Sequence, residues 1–316
     1  VNEGIVGLLR LVAVAIQNAG FAVIVGTLLG SHWLACGACG ASAWQRDTAR
    51  RLVATLRAAS VVSLLASITA FWAHCALMSD VSPLEAGPAV RAMLAGTGFG
   101  HAWLAGAVFT VVIVLLSFLR RASDARVPFA MWGALACVAL ARSNGGHPVD
   151  AGLFSMPVWV DWLHLLAISA WVGLVFVTAF GVMPRLAGLP ASERTTGASF
   201  VQSLSDASTV ALVVLFATGT YNGWRGVATP ANLLASTYGQ LLLLKLALVL
   251  IAAALGGHNR FFGMPTLLAA LKDPGAAMPV SALRGFGAVL RIEAVVLAGV
   301  LMVAAVLVSS ALPGTV

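Results

Sequence analysis

The chain has 316 residues, of which 60% are hydrophobic and only 9% charged, and its mean hydropathy is +0.97. Soluble domains carry about 25% charged residues, so this chain cannot cover a water-facing surface and reads as an integral membrane protein. Its net charge of +7 comes from 18 Lys and Arg against 11 Asp and Glu. All but two of the cations are arginines placed between apolar runs, which implies contact with membrane lipids and no nucleic-acid partner.

A membrane-crossing helix needs about 20 mostly apolar residues. Stretches of this kind fall at residues 4–30, 52–79, 99–120, 127–143, 157–183, 204–226, 236–258 and 288–311, the fourth being the shortest. The first is too long for a signal-peptide core and has no basic leader, so it reads as a retained helix. Breaks are marked by Ser82-Pro83, Arg126-Val127-Pro128, Gly145-Gly146-His147-Pro148 and Asp273-Pro274-Gly275. The expected fold is an all-α, polytopic transmembrane helical bundle of about eight spans. It forms one integral membrane domain over 1–316, with no evident internal repeat and no soluble domain.

Arginine placement sets the expected orientation. The loops after spans one, three, five and seven hold Arg46, Arg50 and Arg51; Arg120, Arg121 and Arg126; Arg185 and Arg194; and Arg260, Lys272 and Arg284. The alternate loops are poorer in cations and carry Asp80, Glu85 and Asp150. The positive-inside rule then puts both termini outside the cytoplasm, in the periplasm of a bacterium.

Span two ends in FWAHCALMSD, an imidazole, a thiol and a thioether within five positions, with Asp80 closing the helix. Soft donors of this kind suit Cu(I). On the expected topology His74, His101, His147 and His164 share the outer face with Cys75, Met78 and Met156. Histidines in a bilayer are costly and tend to be functional, so these residues form a candidate metal or haem site. Asp161, three residues before His164, is placed to orient its ring. Each member also has a plain structural reading, as an interfacial ring, a core methionine or a small buried thiol.

The inner end of span one carries His32, Cys36 and Cys39, spaced H-x3-C-x2-C, a possible second metal station or dithiol. Lys245, Glu293 and Asp206 lie within or at the edge of later spans, where Lys245 must face the bundle interior.

The segments DWLHLLAISAWVG (161–173), SFVQSLSDAS (199–208), ATGTYNGW (217–224), TYGQLLLLKLALV (237–249), HNRFFGMP (258–265) and RIEAVVLAGVLMVAAVLVSSALP (291–313) occur in a fixed order. In these the chain resembles the copper resistance protein D family (CopD) of bacterial inner membranes, over a block of about 145–313. GGHPVD (145–150) and GTGFGHAWLAG (96–106) extend the likeness. The resemblance implies copper handling at the periplasmic face, passage towards the cytoplasm, and a periplasmic copper-binding partner of the CopC type. His147, His164, Trp171, Tyr221, Asn222, Lys245, Asn259, Arg260 and Glu293 occupy family-like positions. Trp171 joins Asp161 behind the ligands, and Tyr221, Asn222, Lys245, Arg260 and Glu293 form an intramembrane polar network. The motifs around His74 and Cys36 are not family signatures.

Three functions compete at this point. The first is a copper transport protein of the inner membrane with no ATPase motif, its cargo Cu(I) or Cu(II). The second is a membrane haem b protein using paired histidines, His74 and His164 foremost, for electron transfer or Cu(II) reduction. The third is a structural subunit with incidental histidines.

Overall fold

A computed structural model describes residues 2–36, 43–121, 128–273 and 280–310, and among these every regular element is helical. Helices α1 (Asn2–Cys36) and α2 (Ala43–Met78) form an antiparallel pair. Val6 meets Ala73 and Ala76 at one end, while Gly20 approaches Ala59 and Ser63 further along. The short α3 (Gly87–Gly96), with Pro88 in its first turn, leads into α4 (Gly98–Leu119). The Thr97 hydroxyl caps α4 by accepting from the Gly100 amide at 2.9 Å. At the other end of α4, Arg57 of α2 donates to the carbonyls of Ser117 and Arg120, at 3.1 and 2.9 Å. Those orphan carbonyls carry the negative end of the helix dipole, so a neighbouring arginine satisfies both hydrogen bonding and charge.

α5 (Phe129–Ser143) follows, and then α6 (Met156–Phe176) runs through a π turn (Val177–Val182) into α7 (Met183–Leu186). After it come α8 (Arg194–Val227), the single turn α9 (Asn232–Ala235) and α10 (Thr237–His258). A second π turn (Asn259–Gly263), α11 (Met264–Lys272) and α12 (Val280–Val308) complete the described chain.

Among the described residues, seven helical stretches are long and apolar enough to cross a membrane, from Gly4–Leu34 to Val280–Val308. The fourth expected span is α5, whose 15 residues cover about 22 Å at 1.5 Å per residue, less than the roughly 30 Å hydrocarbon core. It is cut short by Pro128 and the Asn144-Gly145-Gly146 turn, and it packs between α4 and α6. The bundle is a multi-pass membrane protein whose outward residues are apolar. Leu65, Leu115, Val213 and Val295 are between 58% and 69% exposed, as side chains that meet lipid must be.

The second half uses one construction twice, a repeat that the sequence reading did not detect. A long helix enters a π turn, a Met-Pro pair restarts it, and a connection leads to a second long helix. Met183-Pro184 and Met264-Pro265 mark the shared point, 81 positions apart. Proline lacks an N–H and its ring collides with the carbonyl four residues back. In both cases that residue, Phe180 or Phe261, lies inside the π turn that relieves the collision. At the same offset buried Trp171, Thr178, Met183 and Leu186 correspond to buried Ala252, Asn259, Met264 and Leu267. His164 of α6 and Lys245 of α10 therefore occupy equivalent positions.

α1 sits centrally, packed on α2, α6 and α12. Its contact with α6 is backbone against backbone: a Cβ on Gly26 would lie 2.1 Å from the Gly173 carbonyl carbon, and one on Gly173 would lie 1.8 Å from the Ala22 oxygen. Without a hydrophobic driving force in lipid, such close approach is what holds helices together.

Candidate functional site

At the open end of α2, Phe71 stacks on Trp103 of α4 with centroids 4.1 Å apart, and the Trp103 indole donates to Ser67 Oγ at 3.1 Å. These contacts fix the last two turns of α2. One turn on, the His74 ring stands edge-on to Phe99, 4.9 Å between centroids. Its Nδ1 is buried and has no hydrogen-bond partner among the described residues, and Arg10 of α1 is a charged group acting on it. A buried polar atom left unpaired costs about 1–3 kcal/mol, so an unpaired ring nitrogen calls for an explanation such as a bound ion.

Cys75, the next residue, is wholly buried and points elsewhere, its thiol donating to Met93 Sδ of α3 at 3.5 Å. Met78 is 64% exposed at the helix end. Asp80 follows in the left-handed region (φ +50°), where a short polar side chain is tolerated, and ends the helix.

His101 in the first turn of α4 is exposed, as are Met156 at the start of α6 and His147 in a 3-10 turn. His147 Nδ1 lies 3.5 Å from Asp150 Oδ2. These three line the same end of the bundle as His74, but among the described residues no three His, Cys, Asp or Glu side chains gather closely enough to hold an ion together. The expected single site is therefore distributed: His74 against Phe99, Cys75 against Met93, exposed residues beside them, and a separate polar centre around His164.

His164 Nδ1 lies 3.0 Å from Thr218 Oγ1 of α8. That hydroxyl already donates to the Val214 carbonyl at 2.7 Å, so it accepts from the ring. The ring proton is thereby placed on Nδ1, leaving Nε2 as the lone-pair nitrogen. Thr218, not Asp161, orients the ring, which corrects the expectation from sequence. Asp161 instead accepts from Asn222 Nδ2 at 3.2 Å and interacts electrostatically with Arg142 and Lys245. Arg142, in the last turn of α5, donates to Asn18 Oδ1 of α1 and lies over the Phe21 ring.

Trp171 also departs from its expected place behind the ligands. It lies seven residues beyond His164, about 10 Å deeper along the helix, and donates its indole N–H to Glu293 Oε1 of α12 at 3.0 Å. The expected network of Tyr221, Asn222, Lys245, Arg260 and Glu293 thus separates into four parts. Asn222 and Lys245 belong with Asp161, while Tyr221 lies half-buried one turn beyond Thr218. Glu293 belongs with Trp171. Arg260, some four turns beyond Lys245, pairs with Asp206 at 3.1 Å and donates to Ser205 at 2.6 Å, at the opposite end of the bundle. Asn259 beside it donates to the Phe286 carbonyl at 3.3 Å.

Of the suggested inner station, His32 is exposed near the end of α1, Cys36 is that helix's last residue, and Cys39 lies outside the described residues. Met93, Thr218, Arg142 and Asn18 are contributors the sequence reading missed. Thr218 lay within the quoted ATGTYNGW, and Asn18 and Arg142 were polar residues inside or at the edge of apolar runs.

The two rings of the paired-histidine alternative contact different helices, His74 meeting Phe99 of α4 and His164 meeting Thr218 of α8.

Two family models match the chain. That described as copper resistance protein D-like, N-terminal domain, covers residues 6–153, and that described as copper resistance protein D covers residues 198–307. The copper resistance protein D of Pseudomonas syringae pv. tomato is 28% identical over 218 residues, 66% of this chain and 69% of that protein. No solved structure gives a significant match.

Proposed function

The chain belongs to the copper resistance protein D family, and from that premise we propose that it is a copper carrier of the bacterial inner membrane. Its whole length acts as one membrane domain, with both termini and the His74 end in the periplasm. The observation that carries this reading is His74 Nδ1, a buried ring nitrogen without a partner among the described residues, at the end of the bundle where soft donors collect. His101, His147, Met78 and Met156 are exposed around it and suit first capture of copper from a periplasmic CopC-type protein.

The deeper centre has a different task. Arg142 and Lys245 face one carboxylate, Asp161, leaving an excess positive charge that repels a bare cation. His164 Nε2 offers a lone pair there, the donor on which copper passes towards the cytoplasm.

The test is cellular copper measured by elemental analysis at equal expression, with purified protein examined for copper and for haem absorption. His74→Ala and His164→Ala are expected to abolish the copper-dependent gain. Unchanged accumulation in both would overturn the carrier reading. A stoichiometric Soret band lost in His74→Ala would replace it with the haem b reading.

A further inference from the structure

Resting on the copper-handling reading above, we propose that Cys75 and Met93 form a two-sulfur site selective for Cu(I), seated between α2 and α3. Two observations place it. Cys75 Sγ and Met93 Sδ, from separate helices, are already in contact at 3.5 Å. Around them Phe71 and Val90 are buried, and Leu94 and Trp103 pack against the same cluster, so the pair sits in an apolar cage.

The donor count selects the ion. Among the described residues no third His, Cys, Asp or Glu completes a metal-sized group here, whereas structural Zn(II) needs four ligands. Thiolate and thioether together favour Cu(I), which two sulfurs suffice to hold. Charge selects it again: Cu(I) with one thiolate and one neutral thioether is a neutral unit, and only a neutral unit is cheap to bury among aromatic and aliphatic side chains. Cu(II) at the same place would leave a buried positive charge.

Binding breaks the Cys75 S–H bond and forms a Cu–S bond. The thioether lone pair supplies the second bond, the proton leaves to water at the helix end, and copper stays Cu(I) throughout. Access is provided by Met78, 64% exposed and three residues from Cys75 on the same face of α2. It supplies a thioether at the surface from which the ion steps inward. The sequence reading placed Cys75 in a common site with His74 and lacked Met93, which lies 18 positions away in a short connecting helix.

The experiment uses the full chain in detergent, in a background with Cys36, Cys39 and Cys137 replaced by serine so that Cys75 is the only thiol. Cu(I) is supplied as a complex with a chromophoric chelator, and transfer to the protein is followed together with the thiolate-to-Cu(I) charge-transfer absorption in the ultraviolet. One Cu(I) is expected to transfer with that absorption. Met93→Leu, close in volume, is expected to weaken uptake at least tenfold, and Cys75→Ser to abolish the absorption.

In the unmodified chain, Cu(I) is further expected to shield Cys75 from alkylation, read by peptide mass spectrometry, while Zn(II) does not. Equal uptake by Met93→Leu, or alkylation of Cys75 unaffected by Cu(I), would overturn the two-sulfur site. If either is found while His74→Ala still abolishes cellular copper accumulation, the carrier reading survives without this site. If no variant alters accumulation, the carrier reading itself fails.

Discussion

The Trp171 indole donates to Glu293 Oε1 at 3.0 Å, joining α6 to α12 across 122 positions of sequence, and each residue is only 2% exposed. Gly256 of α10 completes the pocket, since a Cβ there would lie 3.1 Å from the same carboxyl oxygen. Three of the four long helices of the second half thus meet at one buried carboxyl. Removing its donor leaves a buried acceptor unpaired at a cost of about 1–3 kcal/mol. Trp171→Phe is therefore expected to lower the thermal midpoint of the detergent-solubilised protein clearly. Glu293→Gln, which keeps an acceptor oxygen for the indole, should lower it less. Equal midpoints for wild type and Trp171→Phe would show that the bond contributes nothing.

The two ends of the bundle carry carboxylates of unequal weight. Asp206 meets Arg260 where their side chains are 53% and 32% exposed, and pairs of that kind contribute about 0–1 kcal/mol. Asp161 lies between Arg142 and Lys245 inside the helical bundle, where removing this counter-charge is expected to cost on the order of 3 kcal/mol. Asp206→Asn should melt within a few degrees of wild type, and Asp161→Ala far below it. Adding Lys245→Met to Asp161→Ala should recover part of the loss, because one unbalanced cation is then gone. Strict additivity of the two changes would deny the coupling.

What the sequence made legible was what a bilayer imposes on each helix separately. Length and apolarity set the helical bundle, while arginine placement gave only an expected orientation, and with it the expectation that His74, His101, His147 and His164 share one face. Pairings between helices were not legible. A lipid-facing span is apolar on every side, so the pattern gives no inward face from which to pair Trp171 with Glu293 or His164 with Thr218. Asp161 was read as the partner of His164 because three positions bring residues close on one helix. A hydroxyl on another helix took that place instead. The repeated Met-Pro pairs were visible as letters, yet they became a repeat only when each was found to follow a π turn.

The His164 ring offers a prediction about tautomer. Thr218→Val removes the acceptor that holds the proton on Nδ1 but keeps the shape of the side chain. With that restraint lost, both tautomers become accessible and Nε2 is no longer reserved as the lone-pair nitrogen. Copper accumulation is expected to fall severalfold in Thr218→Val and to return in Thr218→Ser, which restores the acceptor. Failure of serine to rescue would show that the hydroxyl is not what prepares the ring.

The last prediction concerns Gly26 and Gly173, whose backbones meet where α1 crosses α6. The partner of Gly26 is Gly173, while Gly30 faces the Phe200 ring. In Gly173→Ala the new methyl would sit 1.8 Å from the Ala22 carbonyl oxygen. Backbone cannot rotate away as a side chain can, so the two helices must part. Every contact they share would then be strained, including those around Trp171 and Val172. Gly257→Ala is the control: no atom lies within 4 Å of its added Cβ, and replacing a helical glycine by alanine gains about 0.5–1 kcal/mol. Gly173→Ala is therefore expected to lose most of its folded yield in detergent while Gly257→Ala melts at or above wild type. If the Gly173 variant melted with wild type, α1 and α6 would not be in backbone contact, and the central position of α1 would have to be withdrawn.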